Sequence, residues 1–432
     1  MAFAFHRDVS SPADTLPAIT WLLRCDLISD DRHVYVGQSQ MYRAACMNML
    51  SEPLHMRDQI RIAFWQNMPT HHQSATLRSL AMIPGVAVTV VAESGLPEWR
   101  ADSGWSMPDY GSAQLIVAPN AEEQRALLDS IGDFDVNIFS GINAYPLVRR
   151  AFRYSLVART VRGIMAEGAD WRGWKGMLRR VDGRISAYRY SRRISFILAI
   201  GQLGETWFRE LGFPEEKLYR YGYFVDADGE AIEEQPSTEE DASHVVRLIY
   251  VGRLIPLKRL DMLLRALSSL AAKPWRLTLV GDGVSRSELM ELTASLGLSD
   301  RVRFLGALDN AGAMRQLRSA DFLVLPSDLD GWGAVTNEAI MRGVPVVCSD
   351  HCGSADLVRE SWRGSVFRSD SAQDLRSALL TWIEKGRRTA EERRCIMSWS
   401  ERIQPMAAAD YILGIIRAVK GDAPRPSAPW LS

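Results

Sequence analysis

A glycine-rich segment with two carboxylates is the part of this sequence best equipped for chemistry. It reads PSDLDGWGAVTNEA over residues 326–339, after an apolar strand pattern and into a predicted helix. Asp330 therefore lies in the connecting loop, and Glu338 lies about one turn into the helix. Gly331 and Gly333 would let a ligand approach the backbone, and the N–H groups at a helix start can bind an anion. Since a carboxylate accepts hydrogen bonds from hydroxyl groups, the segment predicts a site for an anionic ligand that carries a ribose.

Three shorter patterns precede this segment, and each belongs to a predicted strand. Gly252 and Arg253 directly follow one strand, with Lys258 five residues after Arg253, and two such cations can neutralise a diphosphate. Gly281 begins a glycine turn that is not a complete GxGxxG, which disfavours a dinucleotide site. Arg303 lies in the strand VRFLG, whose end could offer backbone groups to a base. Taken singly, each pattern also has an ordinary structural explanation: solvated cations, a tight connection between strand and helix, and a buried strand. Their common position at strand ends indicates one site.

The elements that position these residues form two series of alternating strands and helices. The first series has strand patterns at Ile60–Trp65, Ala87–Val91, Leu115–Ala118, Asp135–Phe139 and Ile194–Ile200. The second has strands at Leu248–Val251, Leu277–Val280, Val302–Leu305, Phe322–Leu325, Val344–Cys348 and Ser365–Phe367. Its helices are Asp261–Leu270, Ser285–Leu296, Asn310–Ser319, Thr336–Arg342 and Ala372–Lys385. Apolar strands separated by helices predict an α/β protein with two Rossmann-like, doubly wound sheets, whose ligands bind at the carboxyl ends of strands in the cleft between them.

The chain divides into five predicted parts. Residues 1–58 are an atypical N-terminal extension, or the product of a start codon assigned too far upstream. Residues 59–225 form the first Rossmann-like domain. Residues 226–244 carry acidic residues but no Lys or Arg and are the predicted linker. Residues 245–400 form the second domain, and residues 401–432 a C-terminal helix and tail.

The composition is that of an ordinary globular protein. The 432 residues are 47% hydrophobic and 24% charged, with a formal net charge of −1, so the total charge does not point to nucleic acid. Cys348 and Cys352 are four residues apart, but no second cluster of Cys or His completes a zinc set, and buried or surface thiols are expected. No apolar run reaches the ~18 residues that span a bilayer and no secretory signal is recognisable, so a cytoplasmic location is expected.

Residues from about 247 to 400 resemble the C-terminal donor domain of family 4 retaining glycosyltransferases, which have the GT-B fold. That family shows G-R-(x4)-K, V-G-x-G and V-x-F-x-G elements followed by E-G-F-G-(x4)-E, and all four occur here in this order. The resemblance implies that Arg253 and Lys258 bind the donor diphosphate and that Glu338 holds the ribose. It also implies that Asp330 and the 331–333 backbone, which includes Trp332, meet the transferred sugar. The sequence departs from the family at Asp330, where the family usually has Glu.

The resemblance also implies an activity. The expected reaction is retaining transfer of a hexose from a UDP- or GDP-sugar to a lipid-linked or polysaccharide acceptor in cell-surface glycan synthesis. The nucleotide sugar is a substrate, and neither a cofactor nor a metal ion is implied. Two alternatives stay open: a nucleotide-sugar epimerase or hydrolase of the same fold, and a non-catalytic, membrane-attached binding subunit of a polysaccharide assembly complex. The exchange at Asp330 keeps the second alternative open.

The first domain resembles the family more loosely. Its turn 67–73 occupies the place of a loop that faces both substrates in the family, which implies acceptor contacts for His71 or His72. Histidines in loops are otherwise simply exposed to solvent, and that reading stays open as well.

A basic stretch between Arg149 and Arg193 interleaves tryptophans with cations. Lys and Arg attract anionic headgroups and Trp favours the membrane interface, so the stretch predicts contact with the inner leaflet of a membrane, where a lipid-linked acceptor would be found. A solvated arginine-rich face is the alternative. Nucleic-acid binding is not expected, since no known nucleic-acid-binding module accompanies the stretch. The candidate membrane residues are Trp171, Trp174, Lys175, Arg179 and Arg180.

Overall fold

A computed structural model describes the protein over residues 59–97, 106–118, 120–226 and 244–431. The predicted extension 1–58 lies outside the described residues, and so does the predicted linker except for its two end residues, 226 and 244. Among the described residues, no helix is long and apolar enough to cross a membrane.

Seven parallel strands form the first sheet, in the order β3-β2-β1-β4-β5-β6-β7. The strands are β1 (Ile60–Gln66), β2 (Val86–Ala92), β3 (Gln114–Val117), β4 (Val136–Phe139), β5 (Val161–Glu167), β6 (Phe196–Ile200) and β7 (Leu218–Tyr221). The helices are α1 (His71–Ala81), α2 (Ala121–Asp129), α3 (Pro146–Ser155), α4 (Gly173–Tyr190) and α5 (Gly201–Leu211). Strands β5 and β7 were not predicted. Only the middle of β5 is apolar and it lies in the basic stretch, yet β4 and β6 pair with it on both sides.

Six parallel strands form the second sheet, in the order β10-β9-β8-β11-β12-β13. The strands are β8 (Val246–Val251), β9 (Trp275–Val280), β10 (Val302–Gly306), β11 (Phe322–Leu325), β12 (Val346–Ser349) and β13 (Gly364–Phe367). The helices are α6 (Leu260–Ser268), α7 (Arg286–Ser295), α8 (Asn310–Ser319), α9 (Val335–Met341), α10 (Ala372–Glu384) and α11 (Ala390–Trp399). All six strands were predicted, because buried parallel strands are continuous apolar runs.

A final helix, α12 (Pro405–Lys420), leaves the second sheet and packs on α1 of the first. Its Tyr411 ring stacks on Tyr221 at the end of β7, with ring centroids 6.5 Å apart. Farther along, the Arg425 guanidinium donates to the carbonyls of Glu216 and Leu218. The C-terminal segment therefore ties the two sheets together.

The strand order of each sheet reverses at one position, between β1 and β4 in the first sheet and between β8 and β11 in the second. Strands on either side of such a reversal send their helices to opposite faces, which leaves a crevice at their carboxyl ends. The predicted fold class, α/β with two doubly wound sheets, is confirmed. Glu167 at the carboxyl end of β5 packs on the loop that follows β11, so the two crevices meet.

Candidate functional site

The loops after β8, β9 and β10 are joined backbone to backbone at one edge of the second sheet. The amide of Leu254 donates to the carbonyl of Asp282 at 2.8 Å, and the amide of Gly281 donates to the carbonyl of Gly306 at 2.7 Å. A Cβ on Gly281 would lie 2.0 Å from the carbonyl oxygen of Gly252, so a larger residue does not fit there. The three short sequence patterns therefore contribute to one surface, with a glycine at each close approach.

The contact between Lys258 and Asp330 links this surface to the loop after β11. Lys258 ends the short 3-10 turn Pro256–Lys258 after β8, and its Nζ lies 2.5 Å from Asp330 Oδ2. The two side chains are only 15% and 20% exposed, so the pair is shielded from much of the solvent. The two residues, 72 positions apart in the sequence, meet at the strand-order reversal, where a ligand is expected.

The two predicted arginines lie apart from each other. Arg253 is exposed in the loop after β8, and its carbonyl accepts a hydrogen bond from Tyr250 Oη at 2.9 Å. Arg303 lies near the start of β10, about 10 Å of strand before Gly306. Its guanidinium donates to Gln316 on α8 at 3.3 Å. Arg253 therefore belongs to the surface formed by the loops after β8, β9 and β10, whereas Arg303 lies outside that surface.

The backbone of Asp330 is held by the loop after β12. The Asp330 amide donates to the carbonyl of His351 at 2.9 Å, and its carbonyl accepts from the amide of Gly353 at 3.0 Å. His351 Nδ1 lies 2.9 Å from the carbonyl oxygen of Asp328, so one histidine touches the loop on both sides of Leu329. These bonds fix the position from which the short Asp330 side chain reaches Lys258.

Trp332 supports the loop from inside the protein. The side chain is 2% exposed, and its Nε1 donates to Asn337 Oδ1 at 2.8 Å. The outer edge of the indole ring packs on Gly222 just after β7, and the ring meets Trp430 edge to face. A donor contact at residue 332, if one forms, must therefore come from its backbone.

Glu338 lies, half-buried, in the first turn of α9, as the sequence predicts. This helix has only seven residues, and the amides of Thr336 and Asn337 already donate to the carbonyls of Gly333 and Ala334, both at 2.9 Å. The amides of Thr336 and Asn337 are therefore already used within the helix start. The Glu338 carbonyl accepts a hydrogen bond from Arg342, which orients the end of the helix.

The first domain contributes a carboxylate that the sequence patterns did not identify. Glu167, the last residue of β5, accepts a hydrogen bond from Tyr223 Oη at 2.8 Å. A Cβ placed on Gly331 would lie 1.9 Å from Glu167 Oε2, so the carboxylate packs directly on the loop after β11, whose backbone is predicted to meet the sugar. The Tyr223 ring in turn stacks on His72, with centroids 5.5 Å apart. The two predicted histidines diverge: His72 joins this group, whereas His71 Nε2 lies 2.8 Å from the carbonyl oxygen of Ser106.

A second contact across the cleft lies just before α4. The Arg172 guanidinium pairs with Asp328 in the loop after β11 and with Asp170 two residues before it in sequence. Trp171 meets the His351 ring edge to face, with centroids 5.4 Å apart. A periodic pattern could not reveal the contacts with Asp328 and His351, because these residues are more than 150 positions away from Arg172 and Trp171.

Two buried side chains near Asp330 have raised pKa values, which shows that the interior beside the site is apolar. Burial raises the pKa of the Tyr250 phenol well above its usual value, and the negative charge of Asp330 raises it further. Burial also raises the pKa of the Cys352 thiol to about 12, again with a contribution from Asp330. Cys352 and Cys348 are therefore buried neutral thiols, and the described residues contain no group of His, Cys, Asp or Glu arranged to hold a metal ion.

The predicted membrane residues lie on α4 or just before it. Trp174 is 66% exposed, and Lys175 beside it is exposed too. Arg179 and Arg180 are only half-exposed: Arg179 donates to the carbonyl of Asp170 at 2.9 Å, and Arg180 lies 3.4 Å from Glu210. Trp171 faces the cleft. Of the predicted membrane residues, Trp174 and Lys175 therefore lie on an outer surface, whereas the other three contact neighbouring parts of the protein.

Part of the chain matches a known family of proteins. Residues 232–397 match the sequence model of the family described as glycosyl transferases group 1. The D-inositol 3-phosphate glycosyltransferase of Nocardia farcinica is 35% identical over 139 residues, which cover 30% of this chain and 31% of that protein. The chain thus matches about a third of the length of this relative.

Solved structures match over more of the chain. The Anabaena protein HepE in complex with UDP aligns with 83% of this chain and all of its own, at 18% identity and a TM-score of 0.62. A glycosyltransferase from Rickettsia africae aligns with 85% of this chain at 12% identity and a TM-score of 0.64. These likenesses confirm the predicted GT-B fold. Residues 232–397 thus resemble the glycosyl transferases group 1 family.

Proposed function

We propose that this protein transfers a hexose from a UDP- or GDP-activated donor to a saccharide or lipid-linked acceptor, with retention of anomeric configuration, in cell-surface glycan synthesis. The observation that carries the proposal is the contact between Lys258 and Asp330. It joins the predicted phosphate-binding cation and the predicted sugar-binding carboxylate where the strand order reverses. The N. farcinica relative is named as a transferase and HepE was solved with UDP, which supports the same reaction class here.

Each part of the donor has a matching part of the site. Lys258 and Arg253 would neutralise the diphosphate as the bond between the anomeric carbon and the phosphate oxygen breaks. Glu338 would accept hydrogen bonds from the ribose hydroxyls. The acceptor oxygen would bond to the anomeric carbon on the face that the diphosphate leaves, and the acceptor's hydroxyl proton would pass to the departing phosphate oxygen. No side chain is assigned as a general base, and the nucleotide sugar is treated as a substrate that needs no cofactor or metal ion.

The shorter acid at position 330 fits a working site. Asp330 carries one methylene less than Glu, but the loop after β12 holds its backbone and Lys258 already contacts its carboxylate. A bound diphosphate would compete for Lys258, which would release the carboxylate toward a sugar hydroxyl. Glu167 on the opposite wall would supply a second carboxylate to the same sugar.

A panel of UDP- and GDP-sugars tests the proposal through thermal stabilisation of the purified protein. A ligand at about 100 times its Kd stabilises the folded state by about 2.7 kcal/mol, which is readily measured. Donor consumption is then followed with and without a membrane extract for wild type, Asp330→Ala and Glu338→Ala. Glu291→Ala, an exposed acid on α7, is the matched control.

Transfer requires that donor consumption depend on the extract, and that both site variants lose activity while Glu291→Ala keeps it. Equal turnover by all four proteins would contradict the site. Full turnover without any acceptor would show an epimerase or hydrolase. Binding without turnover under every condition would show a non-catalytic subunit.

A further inference from the structure

Helix α4 exposes its apolar face to solvent. Six apolar side chains on its outer surface are 47% to 91% exposed, and they are Trp174, Met177, Leu178, Val181, Ile185 and Tyr188. Their spacing puts them on one stripe about 100° wide, since an α-helix turns about 100° per residue. The face that packs on the protein consists of small residues, with Gly176, Ser186 and Ala187 buried. This orientation is the reverse of an ordinary surface helix, which buries its apolar stripe.

Cations flank this stripe on both sides. On a helical wheel, Lys175 and Arg189 lie on one side and Arg184 on the other, and all three are exposed. Asp182 is the one acidic residue of the helix. A helix with an apolar stripe, a Trp and flanking Lys and Arg suits the boundary between headgroups and acyl chains of an anionic bilayer. A nucleic acid would match the cations but would leave the apolar stripe in water.

The start of α4 lies at the cleft. Arg172, directly before the helix, pairs with Asp328 in the loop that carries Asp330. Trp171 meets His351 in the loop after β12, which holds the Asp330 backbone. A Cβ on Gly176 would lie 2.1 Å from the carbonyl oxygen of Trp171, so the first turn of the helix packs closely on this segment. A surface that binds α4 would therefore lie beside the loop after β11, which carries Asp330.

We propose that the outer face of α4 inserts into an anionic lipid bilayer, and that the acceptor is a lipid of that bilayer, presented to the cleft from the membrane plane. The lipid acceptor rests on the proposed transferase function, whereas the insertion of α4 rests on the helix alone. The roles of the arginines also change from those predicted: Arg179 and Arg180 support the helix, whereas Lys175, Arg184 and Arg189 face the lipid.

Vesicle binding by the full-length protein tests the surface. Vesicles of phosphatidylcholine containing phosphatidylglycerol should bind the wild type much more tightly than pure phosphatidylcholine does. Lys175→Glu with Arg184→Glu should weaken binding about 25-fold or more, at about fivefold per cation. Met177→Glu should weaken it at least about tenfold, because a buried apolar side chain is replaced by a charge. Met290→Glu is the matched control, since Met290 is 48% exposed on α7 of the other domain.

Fluorescence distinguishes insertion from surface attraction. Lipids brominated in their acyl chains should quench wild-type tryptophan emission on binding. Trp174→Phe should still bind and should lose a large part of that quenching. Unchanged vesicle binding by Met177→Glu, or unchanged quenching in Trp174→Phe, would overturn the proposal. A lipid-independent dimer that Met177→Glu dissociates would also overturn it, because the stripe would then be an interface between two copies of the chain.

Nucleotide binding in the same samples separates the two proposals. The α4 variants should be stabilised by UDP or GDP as strongly as the wild type, because none of the changed residues lies in the donor site. If neither nucleotide stabilised the wild type, the transferase proposal would fail while the vesicle result stood. If the nucleotides bound and the vesicles did not, the membrane proposal alone would fail.

Discussion

Replacing Gly222 by alanine tests how the loop after β11, which carries Asp330 and Trp332, is supported. Gly222 follows β7 in the first domain, and its backbone is not in the left-handed region, so an alanine meets no backbone strain there. Its Cβ would lie 2.4 Å from Cη2 and 2.5 Å from Cζ2 of Trp332. Any cost of the substitution therefore comes from the indole ring.

The structure sets the size of that cost. Carbon atoms pack at about 3.5–4.0 Å, so the ring or the alanine must move by about 1 Å. The ring cannot easily move, because it is 2% exposed and its Nε1 is hydrogen-bonded to Asn337. Overpacking of this kind costs about 1–3 kcal/mol of folding free energy. Phenylalanine lacks the outer edge of the indole that carries the close atoms, so in a Trp332→Phe background the same alanine should cost little.

A double-mutant cycle measures this interaction by urea unfolding followed by circular dichroism. The penalty of Gly222→Ala should shrink by about 1–3 kcal/mol when Trp332→Phe is also present. Gly414→Ala is the control: it lies inside α12 with its nearest neighbour at 3.5 Å, and should gain up to about 1 kcal/mol. A penalty of equal size in both backgrounds, or no penalty at all, would refute the packing of Trp332 on Gly222.

Four further predictions concern the site. Lys258→Met should weaken the binding of UDP or GDP at least about tenfold in calorimetry, because a charge-assisted hydrogen bond is lost. Asp330→Asn should not weaken nucleotide binding, because the Asp330 carboxylate no longer competes for Lys258. Glu167→Ala should reduce donor turnover with little change in affinity for UDP or GDP alone, and Tyr223→Phe should have a smaller effect in the same direction; unchanged turnover in Glu167→Ala would exclude a sugar contact. Chelation by EDTA should leave turnover unchanged, and a loss restored by Mg²⁺ would contradict the metal-free reaction. Burial raises the pKa of Cys352 from 9.0 to about 12, so the contribution of the neutral thiol to stability is complete below pH 9 and is lost as pH rises toward 12. In Cys352→Ala, the unfolding free energy should fall less steeply over that pH range, by up to about 1.4 kcal/mol per pH unit.

The second sheet could be predicted almost completely, because its strands are continuous apolar runs and its glycines lie at their ends. The first sheet was harder to predict. Strand β5 has an apolar middle with a charged residue near each end, and it forms because two neighbouring strands pair with it. Its last residue, Glu167, had no local signature of function. Its position beside Gly331 depends on how the two domains pack.

The sequence alone identified the glycine-rich segment 326–339 and the cations before it as a candidate site, because residue type and spacing place them at the ends of predicted strands. Tertiary structure decided which of them meet: Lys258 contacts Asp330, whereas Arg303 lies away from the loops and Trp332 is buried. Helix α4 shows the same division. The sequence determines that it has an apolar face and a small-residue face, but periodicity does not say which one packs inward. The protein buries the small residues, and the apolar stripe is therefore left facing outward.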